Sequence, residues 1–379
     1  MALTYIDELE RKNPDLSDSL GKCNLYYKRK LWHQLTNTIN EMLKKNSEAS
    51  LGIDFIIFEE KFIREFRKSM NLLSYASIII EIASQTCVNN DGLALKLLSQ
   101  GLDFVKDNNA KLLIRSKMAY YYMNTDIKKT INDLNDIFDD INKSVKAPPA
   151  VVYSEYYLSS ALLYKQQNNP EKFYTNAMGY LGYSNINDVS NILLWANDIV
   201  IAALVSKRFF DFGELSLLPA IQKLKGTPRE WVFNIVKAYI NADVNYYNQI
   251  TKTHKNELET ESLLKGRKHI LDEKIQLLTL VRLAFDKPSF ERILTFDEII
   301  KVTKSTKDEV ELMVMKAMSL ELLSGIIDEI DETVSINYVK PRILDLNEIK
   351  NITSKVDKWV SKIETTSTKI APIITKLFN

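Results

Sequence analysis

The chain has few of the residues that interrupt helices. Its 379 residues include 10 glycines and 9 prolines, well below the roughly 7% and 5% of average usage. Because glycine and proline punctuate secondary structure, their scarcity predicts a chain that is mostly α-helical. The length is large for a single hydrophobic core, so we expect two domains or a helical solenoid with a cap.

Histidine and cysteine are also scarce, which argues against the commonest metal and catalytic sites. His33, His254 and His269 are far apart in sequence and form neither an HExxH motif nor a His-x-His pair. Cys23 and Cys87 form no spacing pattern and are interpreted as reduced thiols of a nuclear or cytosolic protein. The glycine-rich phosphate loops and the GxSxG nucleophile elbow do not occur. We therefore expect no catalytic, metal-binding or cofactor-binding residues, and no enzymatic activity.

Neither an excess of one charge nor a long apolar run is present. The 50 basic and 49 acidic residues leave a net charge of +1, which gives no global attraction to nucleic acid or to an anionic membrane. No apolar run approaches the roughly 20 residues of a membrane span, and residues 1–14 lack a signal-peptide core. The expected partners are proteins that recognise the chain through local complementarity.

The first two thirds of the chain show repeated helical periodicity. Phe55, Phe58, Phe62 and Phe66, for example, recur at steps of three and four residues and form one apolar face. Successive helices without long linkers predict a right-handed, TPR-like helical-repeat solenoid over residues 1–265. The predicted segments include helices at about 24–43, 151–165, 171–181, 187–206, 212–224 and 228–240, and a polar loop at 251–268.

Residues 266–345 have the pattern of a winged helix. Thr295 and Glu298 form a capping box that starts one helix, and Ser305 is predicted to cap a second helix over 306–323 that Gly325 ends. A short strand precedes these helices, and two extended segments at 326–330 and 333–338 follow them as a hairpin. With the helical run at about 269–286 in front, this order of elements predicts a winged helix.

The charges of this module disfavour a nucleic-acid role. Helix 306–323 carries two net negative charges. In the hairpin, all charged residues before Lys340 are acidic: Asp328, Glu329, Asp331 and Glu332. Nucleic-acid affinity depends largely on Lys and Arg neutralising phosphates. The same helix is apolar on nearly every side, so we interpret it as covered by protein from more than one direction.

Residues 346–379 predict a long C-terminal helix with a heptad seam. Its apolar positions recur in steps of three and four, with Thr366 as the one polar member and with Pro372 expected to kink or restart the helix. The seam is completed either by helices of other subunits or by the winged helix of the same chain. Its members are Ile349, Ile352, Val356, Trp359, Ile363, Thr366, Ile370, Ile373 and Leu377.

Seven short strings occur in a characteristic order along nearly the whole chain. They are KLWHQLT at 30–36, FGEL at 212–215, KIQLL at 274–278, LTFDEI at 294–299, VELMVMKA at 310–317, IDEID at 327–331 and VKPR at 339–342. In this order they resemble the PCI-domain subunits of the proteasome lid; PCI domains also occur in the COP9 signalosome and in a translation initiation factor. Tyr338 and Lys340 replace the Trp and Gln usual in that family, and residues 86–205 match mainly in helical pattern.

The resemblance implies a non-catalytic scaffold subunit of the 19S regulatory particle lid that supports ubiquitin-dependent degradation in cytoplasm and nucleus. It implies as partners other lid subunits with PCI and MPN domains and a ubiquitin-receptor subunit, with no nucleic acid or membrane. The alternatives are a subunit of a sister complex, a PCI nucleic-acid adaptor, and an enzyme with dispersed catalytic residues. The predicted interface comprises a sheet edge at 333–338 and the helix seam: Val334, Ile336, Tyr338, Ile349, Ile352, Val356, Trp359 and Ile363.

Overall fold

The computed structural model describes residues 2–12, 17–49, 54–86, 90–144, 146–185, 191–261, 263–288, 292–340 and 346–378. The chain divides into two compact units, Met1–Ser190 and Asn191–Asn379. Helices dominate both units, and one small sheet lies in the second. The prediction of a mainly helical chain that ends in a winged helix and a long helix is confirmed. In the described part of the chain, every helix is too short or too polar to cross a membrane.

The first unit consists of helices, and α1 to α10 contribute to one hydrophobic core that extends from Ile6 to Leu163. Several of them begin at a side chain that accepts a backbone N–H, as Asp107, Asp126 and Asn169 do. The helices are α1 (Ala2–Lys12), α2 (Ser17–Lys28), α3 (Trp32–Ala49), α4 (Phe55–Phe58), α5 (Arg64–Phe66), α6 (Leu72–Thr86), α7 (Asp91–Phe104), α8 (Asn108–Tyr122), α9 (Ile127–Lys143), α10 (Ala150–Gln166) and α11 (Pro170–Tyr183). A π-helical turn, Glu59–Ile63, joins α4 to α5.

The single helix predicted at about 24–43 is wrong, because the chain breaks between α2 and α3. Lys30 takes a left-handed conformation with φ 56°, which is unfavourable for a residue with a side chain. The break lets Trp32 stack on Phe66, with ring centroids 5.7 Å apart, while Tyr27 packs edge-on against the same ring. Tertiary aromatic packing therefore overrides a continuous helical pattern at this point.

The second unit contains further helices, the sheet and the C-terminal helix. The loop predicted at 251–268 is wrong in its first part, since α16 continues to Thr253 and α17 follows it, whereas 263–267 form turns before α18. The elements are α12 (Ile192–Val205), α13 (Phe212–Leu217), α14 (Pro219–Gln222), α15 (Glu230–Ile240), α16 (Val244–Thr253), α17 (Lys255–Thr260), α18 (Lys268–Asp286), β1 (Ile293–Thr295), α19 (Phe296–Thr303), α20 (Lys307–Ser319), β2 (Leu323–Asp328), β3 (Thr333–Val339) and α21 (Leu346–Phe378).

The winged helix spans α18 to β3 around its own apolar core. The capping box at Thr295 is present: its N–H donates to Glu298 Oε2 at 3.2 Å, and its Oγ1 accepts the Glu298 N–H at 3.3 Å. The second cap is Thr306 and not Ser305, because the Ser305 hydroxyl is buried against Thr303 Oγ1 at 2.8 Å. Helix α20 ends at Ser319, four residues before the predicted end.

Gly325 lies inside β2 and does not end a helix as predicted. A Cβ built at this position would lie 2.1 Å from the backbone oxygen of Ser335 on β3, so no other residue fits the close approach of the two strands. The register of β2 against β3 shifts between Ser324 and Gly325. The glycine therefore permits a β-bulge in the wing.

A buried lysine connects the winged helix to α12 within the second unit. Lys274, on α18, is 2% exposed. Its ammonium donates to the carbonyl oxygens of three residues at the carboxyl end of α12, Ala203 at 2.7 Å, Leu204 at 3.2 Å and Ser206 at 2.5 Å. A cation at this end complements the helix dipole and satisfies carbonyls that lack intrahelical partners.

Candidate protein-protein interface

The sheet of the winged helix is three-stranded and antiparallel, with β3 in the centre and β1 and β2 at its edges. Leu294 on β1 and Ile327 on β2 both lie opposite Val334 on β3. Val334 is fully buried and Ile336 is 3% exposed, in the core of the module. The apolar face indicated by the alternation along residues 333–338 is therefore the face that packs on the core of the winged helix.

Two parts of the predicted interface are therefore wrong. Val334 and Ile336 are core residues, and no partner reaches their side chains in this fold. The edge expected along 333–338 is not free over residues 333–335, which pair with β1 on one side and with β2 on the other. Tyr338 is 50% exposed, and its place in an interface stays a prediction.

The outer face of the sheet exposes apolar residues that the sequence patterns did not identify. Ile293, Ser335 and Ile326 lie opposite one another across the three strands. Ile293 is 56% exposed and Ile326 is 68% exposed. The bulge adds one unpaired residue, Asn337, to β3 and interrupts the alternation there, and β1 has only three residues, so periodicity gave little signal for this face.

Helix α20 is covered on one side only. Val310, Val314 and Ala317 are buried in the core, whereas Leu312 is 68% exposed and Met315 is 52% exposed. The interpretation of a helix covered from more than one direction is therefore wrong within this chain. Leu312 and Met315 therefore offer apolar surface for a contact with another protein.

The lysines of α20 pair with acids of the same chain. Lys307 Nζ lies 2.5 Å from Glu332 Oε1 in the wing, and this hydrogen bond raises the pKa of Lys307 above its usual value. Lys316 forms an ion pair with Glu273 on α18. In the wing, Asp328 Oδ1 accepts the backbone N–H groups of Ile330 and Asp331 at 3.0 and 3.1 Å. This surface offers acids and already paired lysines, which disfavours binding to phosphates.

Helix α21 exposes its heptad seam. The exposed fractions of Ile349, Ile352, Val356, Trp359 and Ile363 are 47%, 37%, 48%, 67% and 54%. These side chains are not buried against the winged helix, so the alternative of a seam closed by the same chain does not hold for them. Their assignment to a partner interface stays a prediction. The helix continues through Pro372 without the predicted restart, and the side chains of Ile373 and Leu377 lie outside the described residues.

The side chains best suited to catalysis or metal binding take part in other contacts, are buried or lie far apart. In the described residues, no group of three or more His, Cys, Asp and Glu side chains has the geometry to hold a metal ion. His254 Nδ1 lies 3.1 Å from Glu257 Oε1, and its ring stacks on Trp231 with centroids 6.1 Å apart. Burial raises the pKa of the Cys23 thiol to about 12, so it is not a reactive thiolate. Cys87 lies outside the described residues.

Two protein families match consecutive parts of the chain. Residues 20–236 match the family described as PSD13 N-terminal repeats, and residues 251–337 match the PCI domain. The first match extends over more than half of the 379 residues. Together the two matches account for the helical array and for most of the winged helix.

Individual relatives agree over nearly the full length. The 26S proteasome non-ATPase regulatory subunit 13 of Dictyostelium discoideum is 30% identical over 96% of this chain and 95% of its own. Homolog A of that subunit from Arabidopsis thaliana is 28% identical over 96% of each chain. A more distant relative, subunit M of eukaryotic translation initiation factor 3 from Schizosaccharomyces pombe, is 24% identical over 44% of this chain and 39% of its own. The chain belongs to the family of 26S proteasome non-ATPase regulatory subunit 13, with its PSD13 N-terminal repeats and PCI domain.

Proposed function

We propose that this chain is a non-catalytic scaffold subunit of the lid of the 26S proteasome regulatory particle. The observation that carries the proposal is the full-length similarity to a proteasome regulatory subunit, which extends over both the repeats and the PCI domain. In this role the chain performs no reaction. It holds neighbouring subunits in place so that ubiquitin-dependent degradation proceeds.

The proposal also specifies the partners, the cellular location and the role of each segment of the chain. The partners are other lid subunits with PCI and MPN domains and the ubiquitin-receptor subunit, in cytoplasm and nucleus. Residues 1–265 act as the helical-repeat array, 266–345 as the winged-helix part of the PCI domain, and 346–379 as the helix that joins a bundle with other subunits. The exposed seam of α21 and the apolar outer sheet face support the assignment to protein contacts.

The alternatives have less support. The similarity to subunit M of a translation initiation factor extends over 44% of this chain, whereas the similarity to the proteasome subunit extends over 96% of it. A nucleic-acid adaptor would need basic residues on α20 and the wing, where Lys307 and Lys316 are paired with Glu332 and Glu273. The proteins that co-purify with the tagged full chain, identified by mass spectrometry, distinguish these complexes.

Trp359 provides the direct test of the seam. Its side chain is 67% exposed, so Trp359→Ala is expected to leave the isolated chain folded. Truncation of a Trp at the centre of an interface costs about 2 kcal/mol or more, which corresponds to a loss of affinity of about thirtyfold. We expect the tagged variant to recover a smaller amount of lid subunits per mole of chain than the parent does.

Ser361→Ala is the matched control, since Ser361 lies on the same helix outside the heptad seam. It should recover lid subunits as the parent does, with the same helical circular dichroism. Recovery of lid subunits by Trp359→Ala at the parental stoichiometry would show that the seam does not hold the chain in the lid. Recovery of a different complex by the parent itself would refute the proposed function.

A further inference from the structure

Lysine recurs at one heptad position beside the apolar seam of α21. With Val356, Ile363, Ile370 and Leu377 at the a positions, the preceding g position is lysine in four consecutive heptads. The side chains of Lys362 and Lys369 are exposed. The g residue before the first complete heptad is Glu348, at the amino end of the helix. The four lysines, by sequence, are Lys355, Lys362, Lys369 and Lys376.

The opposite flank of the seam carries no charge. The e positions are, by sequence, Thr353, Val360, Ser367 and Ile374, and Val360 is 46% exposed. Residues at e and g border the contact between two helices and set which partner is accepted. The seam of α21 therefore has a basic border on one side and a neutral border on the other.

We propose that the helix that packs against the g side of α21 is an acidic amphipathic helix with Glu or Asp opposite Lys362 and Lys369. The proposal rests on the proposed function, because it takes α21 to be an interface, and it adds the chemistry of the partner. Opposite charges at these bordering positions attract, and like charges exclude wrong partners. The basic row thus acts as the specificity-determining part of the seam.

A second copy of this chain does not supply such a helix. In a parallel pair, the g lysines would face the e positions Thr353, Val360 and Ser367 of the other copy, which offer no acid. In an antiparallel pair, the g positions would face each other, and lysine would oppose lysine. A simple polyanion is also a poor fit, because the neighbouring Trp359, 67% exposed, would remain in water.

The test uses the full chain and two fluorescein-labelled designed peptides of four heptads each. Both peptides have Ile at a and Leu at d, and they differ in having Glu or Lys at all e and g positions. Binding is measured by fluorescence anisotropy at about 0.15 M salt. We expect the Glu peptide to bind about tenfold more tightly than the Lys peptide, with a difference that shrinks at about 1 M salt.

Charge reversal on the chain tests the assignment to the g row. The double variant Lys362→Glu and Lys369→Glu leaves two lysines and two glutamates in the g row, so it should abolish the preference for the Glu peptide. The matched control is Lys350→Glu with Lys358→Glu, which makes the same change of charge at the b and c positions, outside the seam. It should keep the parental preference. Lys and Glu have similar helix propensities, and a Gln pair at 362 and 369 gives a neutral intermediate.

Several outcomes would overturn the inference. They are equal affinity of the parent for both peptides, an unchanged preference in the seam variant, or a loss of the preference in the control as large as in the seam variant. If a Glu peptide with Ser at a and d bound as tightly as the Glu peptide with Ile at a and Leu at d, the surface would be a general polyanion site instead. Salt-sensitive self-association of the parent that the seam variant loses would assign the surface to a second copy.

The proposed partner chemistry and the proposed function can be refuted independently of each other. A parent that prefers the Glu peptide but recovers no lid subunits from cells would refute the lid assignment and leave the partner chemistry standing. A parent that recovers the lid normally but binds both peptides equally would refute the partner chemistry alone.

Discussion

Replacement of the buried Lys274 by Met provides a sharp test of how the second unit is held together. Met has nearly the same length as Lys and no charge. The variant removes hydrogen bonds to the carbonyl oxygens of Ala203, Leu204 and Ser206, at 2.7, 3.2 and 2.5 Å. It also removes a cation that lies 5.3 Å from the centre of the Phe210 ring.

The expected loss follows from these contacts. A hydrogen bond to a charged group contributes about 1.5 kcal/mol or more to stability, and a buried carbonyl that loses its donor costs about 1 kcal/mol or more. Relief of the desolvated ammonium offsets part of this loss. We expect Lys274→Met to lower the local stability at the end of α12 by about 3 kcal/mol.

Hydrogen exchange followed by mass spectrometry is the appropriate assay, because the chain has two compact units and global unfolding is not expected to be two-state. Amides of Ile199 to Val205 should exchange about a hundredfold faster in the variant. Lys268→Met, at an exposed position of the same α18 helix, is the control and should leave these rates unchanged. Unchanged or slower exchange in Lys274→Met would refute the reasoning, since it would mean that an apolar side chain serves equally well there.

Three further predictions concern the first unit and the winged helix. Burial is the largest cause that raises the pKa of Glu59, which is 2% exposed, so its ionisation destabilises the fold as the pH rises through that pKa. Glu59→Gln should therefore raise the melting temperature more at about pH 8 than at about pH 5, and an equal effect at both would contradict this. Thr295→Ala should make the amides of the first turn of α19 exchange about fivefold faster, which corresponds to a local loss of about 1 kcal/mol, whereas Thr295→Ser, which keeps the capping oxygen, should not. Because burial raises the pKa of Cys23 to about 12, the native chain with Cys87→Ser should resist iodoacetamide at about pH 8 and react only when unfolded; rapid native labelling would refute this.

Local signals were sufficient for much of the winged helix. The capping box at Thr295 and Glu298 depends on residues three apart, and it is present as predicted. The next cap was misplaced by one residue, because the Ser305 hydroxyl bonds to Thr303 Oγ1. Which of two adjacent hydroxyls faces the helix and which is buried depends on packing, and sequence spacing does not decide it.

The candidate interface shows the same division between local and long-range information. Alternation along 333–338 correctly indicated a half-buried strand, but burial of Val334 and Ile336 follows from the place of β3 between β1 and β2. The exposed outer residues Ile293 and Ile326 come from strands more than thirty positions apart. Only the pairing of these strands brings them into one row.

The sequence by itself determined the helical class, the order of elements in the winged helix and the seam of α21, because these depend on periodicity and caps within a few residues. The tertiary structure alone decided that the helix predicted at 24–43 breaks at Lys30, which strand is central and which apolar side chains of α20 remain exposed. Those features depend on contacts between residues distant in sequence. A periodic pattern reveals that an element has an apolar face, but the neighbouring elements determine whether the protein or a partner covers it.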